Sequence, residues 1–95
     1  MMGDRKKFMR DSRMAMMATH PRFMTRLRDF GLTDEEMDYA CLYAIGMNGK
    51  EVGAFMERSS HYNLSSTIRT KLGLEKSGPR LRGVILDLLE SSGDF

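Results

Sequence analysis

The apolar positions of this chain recur at helical spacing, not at strand spacing. Residues 60–72 show it most clearly, with His61, Leu64, Ile68 and Leu72 on one stripe, as a 3.6-residue period requires. Met37, Ala40, Cys41, Ala44 and Ile45 repeat the pattern, and so do Val52, Phe55 and Met56. Phe23, Met24, Leu27 and Phe30 mark a short amphipathic helix over 21–29, and Leu81, Val84, Ile85, Leu88 and Leu89 a last one over about 80–91. Residues 4–18 carry a looser stripe of Phe8, Met9, Met14 and Met16 among basic side chains. No run alternates apolar and polar residues. The one Asn-Gly pair, Asn48-Gly49, lies between helical segments and predicts no hairpin. The chain therefore reads as all-α, with five or six helices.

Punctuation sharpens the boundaries. Thr33 with Glu36 three residues on forms a capping box, and Asp34, Glu35 and Glu36 set negative charge against the positive helix end. Gly46 predicts the stop of that helix, and Asn48 with Glu51 opens a second one reaching about Met56. Ser59 or Ser60 is the expected cap of the third helix, and Gly73 its end. Thr19 or His20 before Pro21 predicts a stop and restart, and Gly31 ends that short helix. "EKSGPR" predicts a loop and "SSGDF" a frayed terminus.

The connection "ERSS" is too short for two antiparallel neighbours, so the second and third capped helices are expected to cross steeply, as in a helix-turn-helix unit. The second helix of such a unit turns one face to the core and the other to the DNA major groove. Opposite the apolar stripe of 60–72 stand Tyr62, Asn63, Ser66, Arg69 and Thr70. A solvated helix face usually carries Glu and Lys; these shorter polar side chains let a backbone approach a partner closely. Asparagine reads adenine bidentately, arginine reads guanine or holds phosphate, and hydroxyls serve either. Lys50, Arg58, Lys71, Lys76, Arg80 and Arg82 flank this face as sources of phosphate attraction.

Three segments, "LTDEE", "GMNGKEVGAFM" and "IRTKLGL", together resemble the LuxR-type, or GerE-type, helix-turn-helix domain. Leu32, Thr33 and Glu36 fit its first motif, Gly46, Lys50, Glu51 and Val52 its second, and Ile68, Lys71, Leu72 and Gly73 its third. Gly53 stands where alanine is usual, Tyr62 where a basic residue is common, and His61 in place of an aliphatic core residue. The resemblance covers about residues 32–90, and "HPRFMTRL" is similar to the lead-in of a subgroup in which the domain ends a longer regulator. It implies a helix-turn-helix core of four short helices at 32–92, preceded by a basic N-terminal segment, 1–31, of one or two helices. It implies a recognition helix at 60–72, with Tyr62, Asn63, Ser66 and Arg69 toward the groove and Lys50, Ser59 and Ser60 near the phosphate backbone. A homodimer through the 80–91 helix is a further implication.

The net charge of +2 conceals segregation: residues 1–30 carry net +5, 31–58 net −4, 59–82 net +4 and 83–95 net −3. Basic blocks around an acidic one suit a polyanionic partner. The basic N-terminal helix reads as a solvated face, or else as an arm to a neighbouring subunit or to DNA, its methionines then packing a partner. Ninety-five residues allow one domain with a modest core. A single cysteine, Cys41, excludes an internal disulfide and a cysteine-rich zinc site, and on an apolar stripe it reads as a small buried hydrophobe. No apolar run is long enough to cross a membrane, and a cytoplasmic setting is expected. No nucleophile–base pair, phosphate-binding glycine loop or metal-ligand spacing stands out, so binding without catalysis and without a cofactor is expected. The expected function is sequence-specific binding of double-stranded DNA by a transcriptional regulator. The alternative is a helical protein-interaction module using the same Tyr62 face.

Overall fold

Six helices form among the residues described, 2–56, 58–74 and 80–94, in the computed structural model. They are α1 (Met2–Thr19), α2 (Pro21–Asp29), α3 (Asp34–Ala44), α4 (Gly49–Phe55), α5 (Arg58–Lys71) and α6 (Leu81–Ser91). None is long and apolar enough to cross a membrane.

The predicted punctuation governs α3 and α4. Thr33 Oγ1 accepts from the Glu36 N–H, and Glu36 Oε1 accepts from the Thr33 N–H at 2.7 Å. Asn48 and Glu51 repeat the exchange at the start of α4. At the end of α3 the Met47 N–H reaches back to the Leu42 carbonyl and the Gly46 N–H to Tyr43. Leu74 and Gly73 close α5 on Arg69 and Thr70 in the same way. Both closures need a left-handed residue, and Gly46 (φ 109°) and Gly73 (φ 74°) supply it.

α5 departs from expectation at its start. It begins at Arg58, so Ser59 and Ser60 lie inside the first turn and neither is the cap. Met56, which follows the last residue of α4, is extended (φ −105°, ψ 159°) and ends that helix. Lys76 and most of the predicted loop, 75–79, fall outside the described residues, as do the side chains of Arg58 and Ser59.

α3 is the central rod. Glu36, Met37, Tyr39, Ala40, Cys41, Leu42 and Tyr43 are all buried, because α1, α2, α4, α5 and α6 all pack against it. A single apolar stripe understates this, and Ile45, counted on that stripe, is exposed. Phe23, Met24 and Leu27 of α2 join the same core as Val52, Ile68, Leu81 and Ile85, so packing is continuous across residue 31. Burial pushes the Cys41 thiol up to about 12, with the nearby Asp38 charge acting in the same direction, and its Sγ rests 3.7 Å from Met24 Sδ. It is a neutral core residue.

α1 is docked, not free. Met16 and Ser12 are buried, while Met14 and Met17 face outward. Arg13 Nε stands 2.7 Å from Asp38 and its Nη1 3.1 Å from Asp34, tying α1 to α3. Phe8 packs on Phe55 at a ring separation of 5.4 Å, and Arg5 Nη1 donates to the Phe55 carbonyl at 3.1 Å.

Residues 91–94 of the segment expected to fray are held in place; Phe95 lies outside the described residues. Asp94 Oδ1 accepts from the Arg22 N–H at 3.1 Å and Oδ2 from the Phe23 N–H at 3.0 Å. His20, the N-cap residue of α2, makes no side-chain cap, so a carboxylate from the far end of the chain does that work. Arg26 Nη1 adds a bond to Ser91 Oγ at 2.9 Å, and Ser92 is buried. Asp94→Ala is expected to lower stability by about 1 kcal/mol, the usual worth of an N-terminal cap. Urea denaturation followed by circular dichroism measures it, and an unchanged midpoint would mean that water replaces the carboxylate at no cost.

Candidate nucleic-acid interface

α5 is anchored by its oily side. Ile68 is fully buried, and Leu64 and Leu72 pack against the same core half-buried. His61, one turn before Leu64 on the stripe, brings polar chemistry to this anchor. Its Nδ1 lies 2.9 Å from the Tyr39 hydroxyl, which in turn lies 3.1 Å from the Tyr43 hydroxyl. The two tyrosine rings meet edge to face at 5.4 Å. Burial, then the Tyr43 hydrogen bond, raises the Tyr39 phenol above its ordinary value, so the Tyr39 hydroxyl keeps its proton. Gly53 of α4 lies over the imidazole, where an added methyl would stand 3.8 Å from Cδ2 and Nε2. The glycine–histidine pair thus fills the place where the resemblance leads one to expect alanine and an aliphatic residue.

The opposite side of α5 is bare. Tyr62 is 75% exposed, and Asn63, Ser66, Thr67 and Thr70 are exposed as well. Thr70 Oγ1 donates to the Ser66 carbonyl at 3.1 Å. Arg69 is half-buried at the edge. His61, Tyr62, Ser65, Ser66 and Arg69 line a shallow hollow on this side with no carboxylate among them. From Arg58 to Lys71 the helix contains no acidic residue. Ser65 is a lining residue, and Thr67 an exposed one, outside the set expected from the sequence; their spacing from Tyr62 and Ser66 on a helical wheel identifies both.

The remaining candidates divide. Lys50 is exposed in the first turn of α4, and Arg80 and Arg82 are exposed at the start of α6. Ser60 is half-buried and faces a cleft beside α1, away from the Tyr62 side. Lys71 is engaged within the fold. Its Nζ bonds Glu36 Oε1 at 2.5 Å and the Gly31 carbonyl at 2.9 Å, joining the ends of α2 and α5 to the start of α3. Lys71 lies three residues after Ile68, which places it toward the core and not on the outward arc. Burial alone would raise the Glu36 carboxyl, but the hydrogen bonds from Lys71 and Thr33 outweigh it and hold the group below its ordinary 4.5. Two of the motif segments, "LTDEE" and "IRTKLGL", are therefore joined by one ion pair. Comparison of the chain with models of known protein families, with curated proteins and with solved structures finds no match in any of the three.

Proposed function

We propose that this protein binds double-stranded DNA through α5, with α4 and α5 as a helix-turn-helix unit and α5 lying in the major groove, and that it acts as a transcriptional regulator in the cytoplasm. The observation that carries the reading is the outward face of α5: Tyr62, Asn63, Ser66 and Thr70 exposed on a helix without carboxylates, held from behind by Ile68. These side chains have the hydrogen-bonding capacity to read base edges and are short enough to let the helix enter a groove. Lys50, Arg69, Arg80 and Arg82 supply charge around it. The LuxR-type resemblance supports the same reading through its three motif segments. A homodimer, formed through α6 or the N-terminal helix, would place two such faces on adjacent half-sites and multiply a modest single-module affinity.

Selection from a randomised duplex pool, followed by titration of the selected site across salt concentrations, tests this. Affinity is expected to fall steeply with salt. Asn63→Ala is expected to cost about 1–3 kcal/mol of discrimination at one base pair of the selected site, with little change in the salt slope. The second reading, a protein-interaction module, draws on the 75% exposure of Tyr62, since exposed tyrosines anchor interfaces. It prevails if duplex binding is undetectable at low salt while a protein partner is captured in a Tyr62-dependent way.

A further inference from the structure

α1 is fixed against the α4–α5 junction by two contacts, the Phe8–Phe55 ring pair and the Arg5 bond to the Phe55 carbonyl. Phe55 is the last residue of α4, and α5 begins three residues later. The result is a cleft of about 440 Å³ beside the first turn of α5, in which Lys6 and Arg10 of α1 share a wall with Ser60 of α5. Met9, Phe55 and Met56 add apolar lining. Two carboxylates, Glu35 and Asp38, also border it, but Arg13 already pairs with Asp38. With Arg5, Lys6 and Arg10 set against Glu35, the lining is net positive among the described residues. Lys6 and Arg10 are exposed and have no ion-pair partner among the described residues.

A helix lying in the major groove has a sugar–phosphate strand on either side, and the elements that flank its first turn meet that strand. From the placement of two uncommitted cations there, we infer that Lys6 and Arg10 of α1 form a second, sequence-independent phosphate-contact site, which extends the footprint of α5 along the DNA backbone. The inference rests on the DNA-binding reading above. It gives the basic N-terminal helix a role in affinity without a role in base choice. Ser60 belongs to this cleft and not to the base-reading face.

The test is the double variant Lys6→Gln/Arg10→Gln, titrated by fluorescence anisotropy against the selected duplex and against an unrelated one over a range of salt. Both side chains are exposed, so an unchanged thermal melt is expected and is checked first. The slope of log affinity against log salt is expected to become shallower by about 2, since each phosphate that the protein no longer neutralises accounts for roughly 0.9. At low salt both duplexes are expected to lose affinity by the same factor, about tenfold or more. If wild-type protein binds duplex and the variant keeps the same slope and affinity, the inference is overturned and the α5 reading stands. A loss confined to the selected duplex also overturns it, because the two residues would then be reading sequence. If wild-type protein shows no salt-dependent duplex binding, the α5 reading fails and this inference fails with it.

Discussion

Replacement of Lys71 by methionine is expected to destabilise the protein by about 2–4 kcal/mol, because it strands a carboxylate in the interior. Glu36 is 4% exposed and depends on Lys71 for its only cationic partner among the described ion pairs. The lysine keeps some contact with water, with 29% of its side chain exposed, so the loss falls short of that for a fully buried pair. Glu36→Gln/Lys71→Met is expected to recover most of the loss, since glutamine keeps the capping box and leaves no charge behind. Wild type and Lys71→Met differ in their pH dependence. In the wild type the folded-state Glu36 carboxyl titrates below its ordinary 4.5. Its contribution is therefore fully present above pH 4.5 and is lost as pH falls through the lower folded value. In Lys71→Met burial is opposed only by the Thr33 hydrogen bonds, so the folded value is expected to rise and the loss of stability toward acid to shrink or reverse. Urea midpoints by circular dichroism between pH 3 and 7 report both effects. A Lys71→Met midpoint equal to wild type at neutral pH would show that the pair is only a surface contact.

Ile68→Ala is expected to cost about 2–4 kcal/mol, the transfer of the lost methylenes plus the cavity they leave. Ile68 is fully enclosed, and it is the point at which α5 is held to the core. For a domain of this length that amounts to a drop in Tm of roughly 8–30 °C. Ile68→Val, at about 1 kcal/mol, keeps the measurement on scale if the alanine variant is largely unfolded. Affinity for DNA is expected to fall in parallel with the folded fraction and no further, because Ile68 faces away from the proposed interface. An Ile68→Val protein with full stability would mean that α5 is anchored elsewhere.

Local chemistry was the legible part of this fold. Caps such as Thr33–Glu36 and Asn48–Glu51, and the stops at Gly46 and Gly73, act within a few residues, so neighbouring letters reveal them. The outward arc of α5 was legible for the same reason: Tyr62, Asn63, Ser66 and Thr70 lie opposite Ile68 by spacing alone. What escaped is what distant segments do to one another. Asp94 caps a helix 72 residues away, and nothing in "SSGDF" announces that it is held. Tyr39, Leu42 and Tyr43 lie off the apolar stripe of α3 and are buried because neighbours close over the other sides of that helix. Lys71 resembled a phosphate ligand by charge, yet its wheel position beside Ile68 directs it to Glu36. Lys6 and Arg10 read as part of a solvated face or of an arm to a subunit or to DNA; that they line one cleft with Ser60 of α5 follows only from the docking of α1 on Phe55.

Amide chemical-shift mapping by NMR with a selected duplex at low salt locates the DNA on the protein. The largest changes are expected at Tyr62, Asn63, Ser66 and Thr70, with a second set around Lys6 and Arg10 and little at α2 or in the buried part of α3. Changes concentrated on α2 or α6 with the α5 amides unmoved, or none at all with duplex in excess, would contradict DNA binding through α5.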